Sequence, residues 1–161
     1  MRCSKLILLA IILMTSACAS ASTKIKANGA AVDPSIYEND LANTRWILKS
    51  FGEASQTTPV VKEGMITLNF GTDGRADGSG GCNSYSGGYN ADDDEVSFIK
   101  VISTKRACAD NEASRQEARY FEALSSTGKY DLVDDKLTIF YNDDKKTLNF
   151  VKAPASAMPP L

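Results

Sequence analysis

The sequence predicts an α+β domain that is mostly antiparallel β, with one helix packed on a curved sheet or plugging an open barrel. Short apolar runs alternate with polar residues and are separated by turns rich in Asp, Asn and Gly, at the spacing of β-hairpins. A single segment, between Asp110 and Gly128, instead has apolar residues at helical spacing. The length of 161 residues suits one domain that buries a core without metal ions or many disulfides.

The first two strands are predicted at Thr44–Ser50 and Met65–Phe70. In the first, Trp46 and Leu48 lie on one face, and the second alternates apolar and polar positions in the same way. Residues 52–64 between them are polar and are predicted to form a loop.

A glycine-rich segment follows the tight Asp-Gly turn of residues 71–74. Residues 75–89 contain five glycines, and Tyr85 and Tyr89 share one face of a strand. Such a segment could cradle an anion, but it lacks the Gly-x-Gly-x-x-Gly and Walker spacings, so bulges or tight bends are favoured. Together with Trp46, the two tyrosines either line a ligand groove or lie in the core, and we favour the core.

The second half of the chain supplies the helix and the remaining strands. An acidic turn at residues 92–95 precedes a predicted strand at Val96–Ser103. Asp110 or Asn111 caps the helix, and Gly128 is predicted to stop it. The inward stripe of the helix consists of Ala113, Glu117, Tyr120, Phe121 and Leu124. Three strands in hairpin succession are predicted at Lys129–Val133, Lys136–Tyr141 and Thr147–Val151.

The first 17 residues are typical of a bacterial lipoprotein signal peptide. Arg2 and Lys5 precede an uncharged apolar run, and small residues stand before Cys18. We therefore expect the Cys18 thiol to be acylated and to become the first residue of the mature protein. An ordinary signal peptide cleaved between residues 17 and 21 is the alternative, and the apolar run is too short for a transmembrane helix.

These features divide the chain into four parts. Residues 1–17 are the signal peptide, 18–40 a lipidated tether, 41–152 the folded domain and 153–161 a disordered tail. The expected location is the cell envelope, at the periplasmic face of the outer membrane, which the protein contacts through the acyl chains on Cys18.

Composition excludes several classes of function. The formal net charge of −2 becomes −4 once the signal peptide leaves, because Arg2 and Lys5 go with it and no acidic residue does. An acidic chain without a basic stripe is a poor partner for nucleic acid. The chain has no histidine, which excludes Ser-His-Asp and Cys-His catalysis and removes the commonest nitrogen ligand of zinc and copper.

We therefore expect no enzyme activity, no cofactor and no metal site. The acidic turns, which contain Asp73, Asp77 and residues 92–94, match no EF-hand spacing and are interpreted as solvated turns rather than calcium ligands. An enzyme that uses carboxylate, lysine or tyrosine chemistry remains an alternative without a motif to support it.

Two cysteines remain after Cys3 leaves with the signal peptide and Cys18 is acylated. In an oxidising compartment, Cys82 and Cys108 are expected to form a disulfide. Closing a loop of this length stabilises a fold by roughly 3–4 kcal/mol on the chain-entropy model. Reduced core thiols and a redox site stay open as alternatives, although the spacing is not Cys-x-x-Cys.

One succession of motifs resembles the META domain family, over about residues 41–152. A Gly-Cys-Asn tripeptide is followed by two tyrosines with glycines between them, and a second Thr…Cys element precedes the helix. The Gly87-Gly88 pair stands where the family pattern has one residue fewer or a variable position. The matching residues are Gly81, Cys82, Asn83, Tyr85, Gly87, Tyr89, Thr104 and Cys108.

This resemblance implies a fold more than an activity. META domains are small, largely β structures of barrel-like shape with one helix, and HslJ-like members are often secreted or lipid-anchored. They are associated with heat shock, antibiotic tolerance, motility or virulence, and their fold is similar to that of lipoproteins that pilot outer-membrane secretins. The resemblance supplies no catalytic residues.

We therefore expect a monomeric, lipid-anchored and non-enzymatic protein that acts in the envelope stress response or in heat or antibiotic tolerance. Its expected partner is an unknown protein segment or an apolar ligand. The alternatives are an assembly lipoprotein similar to a secretin pilot and, less favoured, a carboxylate-dependent enzyme.

Overall fold

The computed structural model describes residues 40–61 and 66–154. The predicted signal peptide, Cys18 and the predicted tether up to residue 39 lie outside the described residues, as do residues 155–161. Within these two ranges, no helix is long and apolar enough to cross a membrane.

Nine strands and one helix make up the described fold. Every predicted strand is present, and the predicted α+β class with one helix is confirmed. The strands are β1 (Thr44–Glu53), β2 (Gln56–Pro59), β3 (Thr67–Phe70), β4 (Arg75–Ser79), β5 (Ser84–Asp92), β6 (Glu95–Ser103), β7 (Thr127–Val133), β8 (Lys136–Tyr141) and β9 (Lys146–Lys152), and the helix α1 is Asn111–Leu124.

The strands form one antiparallel sheet that closes on itself. Each strand from β3 to β9 pairs with the next, and β1 pairs with both β3 and β9, which gives a closed barrel of eight strands. Strand β2 extends the sheet by pairing with the end of β1, so part of the predicted loop is a hairpin arm. Closure removes most of the exposed sheet edges that would otherwise recruit other chains. Among the described residues, β2 and the part of β6 beyond its pair with β7 keep one unpaired side.

The contact between β6 and β7 is the weakest part of this ring. The two strands share a single residue pair, Glu95 with Lys129, whereas β5 and β6 pair along most of their length. The backbone N–H of Tyr130 reaches the Asp94 carbonyl at 2.7 Å, just before β6 begins. Beyond residue 97, β6 therefore has strand β5 on one side and the last turns of the helix on the other.

The helix begins and ends with side-chain caps. Asp110 is the N-cap: its carboxylate accepts the backbone N–H groups of Glu112 at 2.7 Å and Ala113 at 3.3 Å. The predicted stop at Gly128 is wrong, because the helix ends at Leu124 and Gly128 lies in β7. The Ser125 hydroxyl donates to the Glu122 carbonyl at 2.7 Å, which satisfies a carbonyl group at the helix end before Gly128 is reached.

The inward stripes of the strands and the helix meet in one core. Trp46, Tyr85 and Tyr89 are all buried, which confirms the core interpretation of these three aromatic residues. The helix contributes Tyr120 and Leu124, as its spacing predicts, and also Ala123, whereas the predicted Ala113 and Phe121 are half-buried. The other large buried apolar side chains include Leu41, Leu48, Ile66, Leu68, Phe70, Leu137, Ile139, Leu148 and Phe150.

Candidate functional site

The Gly-Gly-Cys-Asn motif forms the turn between β4 and β5 and lies against the helix. Gly81 has a φ of +110°, a backbone conformation that side chains rarely adopt. A Cβ on the preceding Gly80 would come within 2.6 Å of the Glu117 carboxylate. The two glycines are therefore required because the turn is left-handed at one position and touches the helix at the other.

Glu117 is the charged residue that organises this turn. Its side chain lies in the middle of the helix, and only 7% of the residue is exposed. Oε1 accepts the backbone N–H groups of Asn83 at 2.6 Å and Cys82 at 3.1 Å, and Oε2 accepts the Asn83 side-chain amide at 2.6 Å. Three N–H donors thus offset the cost of removing the carboxylate from water.

Asn83 connects this turn to the segment that follows β6. Its side-chain oxygen accepts the Thr104 hydroxyl at 2.8 Å and the backbone N–H of Arg106 at 2.6 Å. Its side-chain nitrogen also reaches the Arg106 carbonyl at 3.2 Å. Every hydrogen-bonding atom of this buried amide is therefore used, and residues 104–106 are fixed against the β4–β5 turn.

Cys82 and Cys108 are bonded to each other, which confirms the predicted disulfide. Their Cα atoms are 5.7 Å apart, within the usual range for a disulfide. The Sγ atom of Cys108 lies 3.8 Å from Oε2 of Glu117. The disulfide, Asn83 and Glu117 thus form one unit, which we call the Glu117 cluster (Cys82, Asn83, Cys108 and Glu117).

Sequence reasoning missed the central residue of this cluster. Glu117 was placed on the inward stripe of the helix, but no partner was assigned to it. The available signal was a carboxylate at the centre of a stripe that is otherwise apolar or aromatic. The structure also brings three metal-ligand side chains together, Cys82, Cys108 and Glu117, where we expected no metal site.

The two motif tyrosines have structural contacts. The Tyr85 hydroxyl donates to the Thr67 carbonyl at 2.9 Å and lies 2.7 Å from the Tyr120 hydroxyl, so Tyr120 is the donor in that pair. Burial raises the pKa of both phenols. The Tyr89 hydroxyl donates to the Gly71 carbonyl at 2.9 Å and closes the β3–β4 turn.

Gly87 allows β6 to bulge. The pairing register shifts between Ser86 and Gly88, and Lys100 on the facing strand has a φ of +51°. A Cβ on Gly87 would lie 2.9 Å from the Ile99 carbonyl oxygen, too close for any side chain. Bulges bend a strand and re-aim its side chains, and this one lies in the part of β6 that faces the helix.

A groove runs between β6 and the C-terminal half of the helix. It encloses about 580 Å³, and we call it the β6 groove. Its apolar lining comes from Phe98, Val101 and Ile102 of β6 and Phe121 of the helix, and Lys100 and Lys105 add positive charge. Ile102 is 69% exposed, so the groove presents a large apolar side chain to solvent.

A second concavity is polar and lies between the β1–β2 hairpin, the helix and the β8–β9 turn. It encloses about 630 Å³, and Glu53 and Glu122 both contribute to its lining. Glu53 is paired with Lys146 at 3.8 Å, and burial raises the pKa of Tyr141, which Glu122 raises further. Two carboxylates in one polar concavity are the minimum that a carboxylate-dependent enzyme needs, but both glutamates are exposed.

The comparisons with known proteins agree with this fold. The model of the META domain family matches residues 39–155. A solved NMR structure of a protein from Burkholderia xenovorans is 26% identical, with a TM-score of 0.60 over 80% of this chain and 96% of that chain. A DUF4847 family protein from Bacteroides vulgatus shares the fold at 18% identity, with a TM-score of 0.53 over 70% of this chain and 94% of that chain. No curated protein matches the chain.

Proposed function

Because the chain belongs to the META domain family, we propose that it is a lipid-anchored binding protein of the cell envelope, without enzyme activity. Its partner in this proposal is an extended, partly apolar protein segment that carries acidic residues and docks in the β6 groove. The family resemblance supports a role in envelope stress or in heat or antibiotic tolerance.

The observation that carries the proposal is the unpaired part of β6. In the described ranges, 40–61 and 66–154, β7 pairs with β6 only at Glu95, so residues 98–103 have no strand partner on that side. An extended peptide could hydrogen-bond to such an edge and place alternate side chains in the apolar lining. Lys100 and Lys105 favour a segment with acidic residues between its apolar ones.

The expected anchor is consistent with this role. Acylation of Cys18 and a tether of about twenty residues would hold the domain close to the membrane while leaving its groove accessible. Metabolic labelling with an alkyne fatty acid tests the anchor directly. The wild-type protein should be labelled and the Cys18→Ala variant should not, whereas equal labelling of both would contradict it.

Site-specific photocrosslinking in intact cells tests the groove. A photoreactive amino acid at position 102 should capture a discrete protein partner. The matched control is position 133, because Val133 is 63% exposed but lies outside the β6 groove. Crosslinks of equal yield and pattern at both positions would overturn the proposal. If position 102 alone gave adducts and these were lipids, the partner would be an apolar ligand and the proposed protein segment would be wrong.

A secretin-pilot-like function is the second candidate, because it needs the same exposed apolar groove. It differs in its partner, which would be an outer-membrane secretin. Capture of a secretin by the photoreactive residue at position 102 would favour this second function. Ile102→Glu should then abolish secretin assembly while Val133→Glu leaves it intact.

An enzyme at the polar concavity is the third candidate and rests on Glu53 and Glu122. Complementation of a deletion strain under heat or antibiotic stress separates it from the binding proposal. We expect Glu53→Gln and Glu122→Gln to complement and Ile102→Glu to fail. The reverse result would favour carboxylate chemistry.

A further inference from the structure

The Glu117 cluster contains three side chains that can bind a metal ion, those of Cys82, Cys108 and Glu117. In the structure, the two cysteine sulfurs are bonded to each other instead. We propose that the domain has a second, reduced state in which Cys82, Cys108 and Glu117 together bind one Zn²⁺ or a similar divalent transition-metal ion. This site is separate from the β6 groove and does not depend on the function proposed for it.

The ligand atoms are already close to the required positions. The two Sγ atoms and a Glu117 carboxylate oxygen all lie within 4.8 Å of one another. Tetrahedral zinc, with Zn–S and Zn–O distances of about 2.3 and 2.0 Å, needs a sulfur–oxygen separation of roughly 3.5 Å and a sulfur–sulfur separation of roughly 3.8 Å. The Cys108 Sγ to Glu117 Oε2 distance is 3.8 Å, so opening the disulfide is the main movement required.

Glu117 is oriented as a ligand by its other hydrogen bonds. Oε1 is occupied by two backbone N–H groups, and Oε2 accepts one side-chain N–H from Asn83. A carboxylate oxygen has two lone pairs, so Oε2 retains one, and the nearest sulfur is on that side. Donors that fix the orientation of a ligand in this way are typical of built metal sites.

The charges and the access to solvent also suit a divalent ion. Two thiolates and one carboxylate around a doubly charged cation leave one net negative charge. The guanidinium of Arg106 donates to the Cys82 carbonyl at 3.3 Å and lies close enough to offset it. Both cysteines are half-buried, so a water molecule can complete the fourth position.

The two states exclude each other chemically. A dithiol or phosphine reductant supplies two electrons to the disulfide, and two protons from water give two thiols. Binding of the ion displaces those two protons to solvent. A small-molecule disulfide takes two electrons from the thiolates and is itself reduced to two thiols, which re-forms the Cys82–Cys108 bond and releases the ion.

Cobalt(II) titration of the reduced full chain tests the site. The protein carries Cys3→Ala and Cys18→Ala, so that Cys82 and Cys108 supply all thiols, and is held in detergent with a phosphine reductant. We expect a thiolate-to-cobalt charge-transfer band, tetrahedral ligand-field bands and displacement of cobalt by Zn²⁺. The oxidised protein should show none of these, and Zn²⁺ should raise the Tm of the reduced form alone.

Variants assign the ligands. Cys108→Ser should remove most of the charge-transfer band, and Glu117→Gln should weaken cobalt binding by more than about 10-fold. Glu112→Gln, in the exposed first turn of the same helix, is the matched control and should bind as tightly as the parent. Circular dichroism follows folding in every sample.

Three results would overturn the proposal. The first is a folded, reduced parent protein without the charge-transfer band. The second is an equal cobalt affinity for Glu117→Gln and Glu112→Gln, which would remove Glu117 from the ligand set. The third is a reduced chain that is unfolded and that neither cobalt nor zinc refolds.

Discussion

The carboxylate of Glu117 accepts both the backbone N–H and the side-chain amide of Asn83, each at 2.6 Å. One buried charge on the helix thereby fixes a turn that is 34 residues earlier in the chain. Asn83 in turn binds Thr104 and Arg106. The helix, the β4–β5 turn and the segment after β6 are therefore expected to lose order together when this contact is broken.

Glu117→Gln should destabilise the domain by about 2–4 kcal/mol, because an amide NH₂ group would face the N–H donors that the carboxylate now accepts. Equilibrium urea unfolding, followed by Trp46 fluorescence, measures the difference. Glu112→Gln is the control and should cost less than about 1 kcal/mol, since Glu112 is exposed in the first turn. Equal stabilities of the two variants would contradict the assigned role of Glu117.

Loss of the disulfide should lower stability by roughly 3–4 kcal/mol, because the reduced chain gains conformational entropy when it unfolds. Thermal unfolding of the Cys82→Ser/Cys108→Ser variant in the presence of a chelator gives the value. Adding a reductant should lower the Tm of the wild type to near that of the variant and leave the variant unchanged. A reductant-insensitive wild type would mean that the bond adds little.

Tyr85→Phe should cost more than Tyr120→Phe, because the two hydroxyls have different donors and acceptors. Removing the Tyr85 hydroxyl leaves both the Thr67 carbonyl and the Tyr120 hydroxyl without their partners. Removing the Tyr120 hydroxyl leaves the bond from Tyr85 to Thr67 intact. We expect about 2–3 kcal/mol against about 1 kcal/mol by urea unfolding, and the opposite order would mean that the donor assignment is wrong.

Stability should fall at alkaline pH. Burial raises the folded-state pKa of Tyr85 and Tyr120 above the unfolded value of about 10. Their contribution is therefore fully present below pH about 10 and is lost as the pH rises from there through the folded-state pKa, because the unfolded chain releases its protons first. The stability difference between wild type and Tyr120→Phe should shrink over this range, and a constant difference would contradict the shift at Tyr120.

The strands and the helix were predictable because their signals are local. Alternating apolar residues, Asp-Gly turns and a helical stripe each depend on a few neighbouring residues, and the structure contains the elements they predict. The helix end was missed because the hydroxyls of Ser125 and Ser126 donate to the carbonyls of Glu122 and Ala123 before Gly128 is reached. Side-chain capping of this kind competes with the usual glycine stop.

The candidate sites depend on contacts between distant parts of the chain. The disulfide could be predicted because Cys3 was assigned to the predicted signal peptide and Cys18 to the predicted acylation site, which leaves Cys82 and Cys108. The β6 groove could not, because it arises where β7 pairs with β6 at a single residue pair and the helix lies beside the rest of the strand. No local sequence pattern predicts over how many residues two strands such as β6 and β7 will pair.

Pairing between β1 and β9 has a consequence for the order in which the domain forms. Leu48 pairs with Phe150, so the ring can close only after the chain has been made through β9. Until then, β1 and β8 each present an unpaired edge to neighbouring chains. Contacts of such long sequence separation also slow folding. A chain truncated before β9 is therefore expected to accumulate as aggregate or to be degraded, even though it retains the Glu117 cluster, the disulfide and the helix.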